Sequence, residues 1–118
     1  MSEETKGRIV KDYLNDILEK IKDINVFIEG IVYEDLKSDK KTQYAVIRCL
    51  EVIGEAAKKI PDKSRSKYPA IPWQEISGMR DKLIHDYFGI DLETVWDTIK
   101  EDLLPLKKAV ESLLEELA

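Results

Sequence analysis

Leu14, Ile17, Ile21, Ile24, Ile28 and Ile31 recur at alternating steps of three and four residues. Only an α-helix brings residues at that spacing onto one line, so this segment must bury a single apolar stripe along its length. The same period returns twice. Val46, Cys49, Leu50, Ile53, Ala57 and Ile60 carry it through a second segment. Leu92, Val95, Trp96, Ile99, Leu103, Leu106, Val110, Leu113 and Leu117 carry it through the last. No stretch alternates with period two, so no strand is expected. The expected fold is all-α, a helical bundle of three long helices and one short one. Its 118 residues suit one domain spanning 1–118.

Punctuation residues set the expected boundaries. The first helix runs over residues 6–32, and residues 33–41 form a polar connection. The second covers 39–60 and stops at Pro61, with a loop following. Pro72 opens the third, where a missing N–H is tolerated in the first turn; that helix reaches Tyr87 and Gly89 stops it. Asp91 is placed as the N-cap of the fourth, with Glu93 in its first turn. Pro105 falls inside that helix and should kink it. Cys49 lies in a stripe and reads as a small core residue; Trp73 and Trp96 read as core as well.

Charge narrows the function classes. With a net charge of -5 the chain does not attract nucleic acid as a whole. One local run differs. Between residues 58 and 69, Lys58, Lys59, Lys63, Arg65 and Lys67 stand against Asp62 alone. That loop is a candidate track for an RNA backbone, or simply a solvated segment beside an acidic body. The single cysteine excludes an internal disulfide and fits a reducing compartment. No apolar run is long enough to span a membrane, and the polar N-terminus does not read as a signal peptide. A cytoplasmic location and no membrane partner are expected.

The third helix departs from the plain amphipathic pattern. On a wheel of about 100° per residue, Ile76, Leu83, Ile84 and Tyr87 all fall within about 60° of Arg80. A guanidinium in the middle of an apolar face must meet a carboxylate, a cleft or a second subunit, because it cannot shed its charge. His85, the only histidine in the chain, lies near Gly78 and one turn beyond Asp81. Gly78 costs about 1 kcal/mol against Ala within a helix and leaves room for an approaching group. Taken singly these residues have plain readings: a surface histidine, a structural ion pair, a solvated aspartate. Arg80 and His85 are also about 140° apart, so a second protomer or a long reach is needed to join them.

The run Arg80-Asp81-Lys82-Leu83-Ile84-His85-Asp86-Tyr87 resembles the Arg-x4-His-x-Tyr motif of HEPN toxins. The flanks resemble the family too: Ile71-Pro72-Trp73, Gly78-Met79, Phe88-Gly89-Ile90-Asp91 and Val95-Trp96, with Glu51-Val52-Ile53-Gly54-Glu55-Ala56 in the second helix. The resemblance covers residues 11–114. It implies a HEPN-type bundle that pairs as a two-fold homodimer and brings two Arg/His motifs into one cleft. It implies a metal-independent endoribonuclease, the toxin of a type VII-like toxin–antitoxin pair, needing no cofactor. Its antitoxin would be an MNT-type nucleotidyltransferase that can add AMP to the motif tyrosine, here Tyr87. Arg80 and His85 would be catalytic, with Asp81, Tyr87 and Glu55 in support. Two other classes stay open: a non-catalytic module binding nucleotide or RNA, and a regulatory subunit of a nucleotidyltransferase.

Overall fold

A computed structural model describes residues 3–79 and 91–117, with side-chain environments from residue 9 onward. Among the described residues there are seven helices and no strand. They are α1 (Glu3–Phe27), α2 (Tyr33–Ser38), α3 (Lys40–Lys58), α4 (Asp62–Arg65), α5 (Trp73–Ser77), α6 (Leu92–Glu101) and α7 (Leu103–Leu117). None is long and apolar enough to cross a membrane.

The α1 stripe is the spine of the core. Leu14, Ile17 and Ile24 are fully buried and Ile21 nearly so. α1 packs against α3 on one side and α7 on the other. α3 presents Val46, Leu50, Ile53 and Ala57 to it, and α7 presents Leu106, Val110 and Leu113. Cys49 is buried within the α3 stripe, as its period indicated, and burial pushes its thiol above the usual range. That makes it a core group and a poor nucleophile.

Three boundaries differ from those the pattern suggested. α1 ends at Phe27, short of residue 32, because Gly30 turns the chain with φ 76°. That left-handed geometry suits glycine and stops the helix. Ile28 stays in the core through the turn, its N–H donating to the Ile24 carbonyl at 3.0 Å, which is why the period outlasts the helix. The connection after it contains the short helix α2. There the Asp35 carboxylate accepts from the Val32 N–H at 2.9 Å, and Leu36 is wholly buried. The loop after Pro61 likewise contains α4, which has Asp62 in its first turn.

The last apolar run is two helices where one kinked helix was expected. α6 ends at Glu101, four residues before Pro105. A proline removes the N–H that would bond the carbonyl four residues back, and its ring crowds that carbonyl. The ladder therefore breaks between Glu101 and Leu103, and the Leu106 N–H bonds the Asp102 carbonyl at 3.1 Å to start α7. Asp102 is half-buried at the break; burial, then Glu101 and Glu75, push its carboxyl above the usual range. Trp96, expected in the core, sits half-buried at its rim.

Asp39 caps α3. Its carboxylate accepts from the Thr42 N–H at 3.2 Å and the Thr42 hydroxyl at 2.7 Å. The Thr42 side chain, then its backbone, hold the Asp39 carboxyl below the usual range. A lowered folded-state value means a contribution present above the unfolded pKa of about 3.9 and lost as pH falls through the folded one. Asp39→Ala should therefore be less stable than the parent near pH 6, with the gap narrowing below pH 3. Urea unfolding at the two pH values reads this directly.

Candidate active site

Arg80, Asp81, His85 and Tyr87 lie outside the described residues, as does the expected end of the third helix at Gly89. The structure describes what leads into that segment, what leads out of it, and the face of α3 that carries Glu55.

The entrance is a tight turn locked to the core. Pro72 has φ -77° and ψ 68°, and the Trp73 N–H donates to the Ile71 carbonyl at 2.8 Å. That is an inverse γ-turn, and proline supplies its φ at no cost. The Trp73 indole N–H donates to the Tyr68 carbonyl at 3.0 Å, so this large ring is buried without an orphaned donor. Ile71, Trp73, Ile76 and Met79 all enter the core, and α5 packs on α3. Gly78 follows with φ -80°; a Cβ there would meet the Gln74 carbonyl oxygen at 3.2 Å and the Glu75 carbonyl oxygen at 3.8 Å, both in its own turn. Gly78 is thus the C-cap of α5 and not an interior helix residue, so the third helix, expected to run unbroken from Pro72 to Tyr87, stops first at Ser77. The Ser77 hydroxyl is buried with no hydrogen-bond partner among the described residues.

The exit is fixed as firmly. Asp91 is the N-cap of α6: its carboxylate accepts from the Thr94 N–H at 3.1 Å and the Thr94 hydroxyl at 2.7 Å. Val95, next to that cap, is buried. On the outer side of α6 the Trp96 ring lies 6.1 Å from that of Tyr33, and the Lys100 ammonium sits 4.7 Å from the Trp96 ring centroid.

Glu55 lines a groove of about 400 Å³ between α1 and α3, together with Tyr13, Asp16, Arg48, Glu51 and Lys59. The resemblance singled out Glu55 and quoted Glu51, and the basic run included Lys59, but Tyr13, Asp16 and Arg48 were not found from the sequence. The signal was present, because Arg48, Glu51, Glu55 and Lys59 follow one another at steps of three or four and so share a face. Arg48 and Glu51 approach to 3.7 Å across one turn.

The basic run is dispersed over three pieces. Lys58 ends α3 and Lys59 caps it; Lys63 and Arg65 belong to α4; Lys67 follows in a turn. Arg65 is bonded to Asp62, and Lys67 pairs with Glu116 of α7 at 2.7 Å. Arg65 and Lys67 thus have carboxylate partners, which lowers the field that the run implied.

Comparison with known proteins converges on this frame. A family model described as ribonuclease HepT-like matches residues 17–113, from the first turns of the α1 stripe to the end of the α7 stripe. Two proteins of Methanocaldococcus jannaschii, each named "Putative RNase", are 51% and 52% identical over 110 residues. Those alignments cover 93% of this chain and 91% and 95% of the relatives. A protein of Thermococcus cleftensis, named "Probable ribonuclease HepT", is 54% identical over 103 residues, 87% of this chain and 94% of its own. No solved structure matches the chain. With the match running through both anchored flanks and everything between them, and with an all-helical fold around them, the chain belongs to the ribonuclease HepT-like family of HEPN domains.

Proposed function

We propose that the protein is a metal-independent endoribonuclease that acts as a homodimer through Arg80 and His85. The observation carrying this reading is the family match across residues 17–113, which includes the whole Arg80–Tyr87 motif, with relatives bearing ribonuclease names at about half identity. The anchored flanks support it: the motif begins one residue after buried Met79 and is followed by the Asp91 cap. A reacting group must be held by a rigid scaffold to be effective.

The chemistry follows from one histidine per chain. Cleavage through the 2′-OH forms a bond from that oxygen to phosphorus and breaks the bond to the 5′ oxygen. One group must take the 2′ proton while another protonates the leaving oxygen. A single imidazole cannot do both at once, but two across a two-fold axis can. The reference pKa of about 6.5 makes both protonation states accessible near neutrality. Paired Arg80 guanidinia would bind the phosphate and neutralise the charge that builds in the transition state. Asp81 or Glu55 would orient them. Purified protein should cut cellular RNA in excess EDTA and leave 2′,3′-cyclic phosphate ends. Cleavage abolished by EDTA and restored by a divalent ion would overturn metal independence, and no cleavage with tight RNA binding would make the protein a binding module.

In the same reading the protein is a toxin, neutralised by a nucleotidyltransferase antitoxin that adds AMP to Tyr87. Adenylylation there would place bulk and negative charge where RNA must lie. Tyr87→Phe should remain active in the presence of such a partner and ATP, without the mass increase of one AMP that the parent chain acquires. A mass increase persisting in Tyr87→Phe would move the acceptor to another residue.

A further inference from the structure

A second groove, of about 410 Å³, lies between residues 67–71 and α7. Its lining is mostly apolar, with Tyr68, Pro69 and Pro105 alongside Lys67, Lys108 and Ser112. No carboxylate lines it among the described residues, although the chain carries 24 acidic residues against 19 basic ones. The groove joining α1 and α3 is the opposite case, with Asp16, Glu51 and Glu55 in its wall. A cleft of this size lies at the small end of those that hold a small ligand.

We propose that this groove is a subsite for single-stranded RNA outside the catalytic cleft, a proposal that rests on the ribonuclease reading. A base stacks on Tyr68 and the proline surfaces, and a neighbouring phosphate meets Lys108. Base stacking on an aromatic platform flanked by cations is how sequence-tolerant single-strand binding is generally built. Charge complementarity selects the occupant: a polyanion with flat apolar faces fits an apolar groove that presents the exposed Lys108 and has no carboxylate among its described lining residues. Glu116 holds Lys67 at 2.7 Å, so Lys108, exposed on α7, is the freer of the two to meet a phosphate.

Tyr68, which lines the groove, accepts the Trp73 indole N–H through its carbonyl, and Trp73 opens α5, so the groove is tied to the element that precedes the motif in the sequence.

The test uses the full chain in EDTA with two fluorescent oligoribonucleotides, a trinucleotide and a twelve-mer, read by anisotropy and by cleavage. Lys108→Glu should weaken twelve-mer binding about tenfold and lower the slope of log Kd against log salt by about one. It should leave the trinucleotide within about twofold. Lys40→Glu, the same charge change at an exposed site on α3, should leave both within that range. Tyr68→Leu, which keeps apolar bulk but removes the stacking face, should weaken the twelve-mer alone. Unchanged twelve-mer affinity in Lys108→Glu, equal loss in Lys40→Glu, or no twelve-mer binding by the parent chain would each overturn the subsite. Lys108-dependent binding without cleavage by the parent would leave the subsite standing and overturn the ribonuclease reading instead.

Discussion

His85→Ala should lose RNA cleavage by about a hundredfold to ten-thousandfold, the usual worth of a positioned general acid or base. Because each chain has one histidine, the variant would remove both the acid and the base from a two-fold cleft at once, which places the expected loss toward the upper end. Arg80→Ala should fall comparably, since it removes both phosphate clamps. Arg80→Lys should recover little: an ammonium lacks the planar fork that matches a phosphate bidentately. Helical content and thermal midpoint of both variants should stay close to those of the parent. Cleavage of a defined oligonucleotide, with circular dichroism alongside, decides the matter. Wild-type rates in His85→Ala would displace the chemistry from this motif altogether.

Leu14→Ala should cost about 2–5 kcal/mol of stability, the range for truncating a buried leucine. Leu14 is completely shielded from solvent on α1, the helix that touches both α3 and α7, so a cavity there opens against two neighbours at once. Against a total of about 5–15 kcal/mol for a domain of this kind, that is a large fraction. Leu104→Ala is the control: it has the same chemistry at a position 58% exposed and should change stability by about 0.5 kcal/mol or less. Urea unfolding of the two variants should give well separated midpoints. Equal midpoints would mean that the α1 stripe does not organise the core.

The long elements could be read from the chain because burial on one face imposes a period, and a period needs several turns to declare itself. α1, α3 and the final run each supply five or more apolar residues in register. α2 and α4, with six and four residues, do not complete two turns, so the fully buried Leu36 looked like an isolated apolar residue in a polar connection. The cap at Asp91 was legible because its chemistry is local: a carboxylate meets an N–H three residues on. The break before Pro105 was half legible, since the proline marks the disturbance but its steric conflict lies one turn earlier. Dispersal of the basic run was not legible at all, because the partner of Lys67 is Glu116, forty-nine residues away. For the motif, spacing set Arg80 apart on the apolar face of the expected helix, whereas pairing it with His85 required the resemblance.

The two tryptophans flank the motif in the sequence and have unlike surroundings. Trp73, seven residues before Arg80, is 8% exposed with its N–H bonded to a carbonyl. Trp96, five residues after Asp91, is half-buried beneath the Lys100 ammonium. The molecule thereby carries two optical probes of different colour. The shielded indole emits toward the blue and resists a dissolved quencher, while the rim indole emits further to the red and is readily quenched. Fluorescence from chains keeping one tryptophan at a time can therefore follow RNA or a partner protein arriving near α5 and near α6 separately, with no label attached.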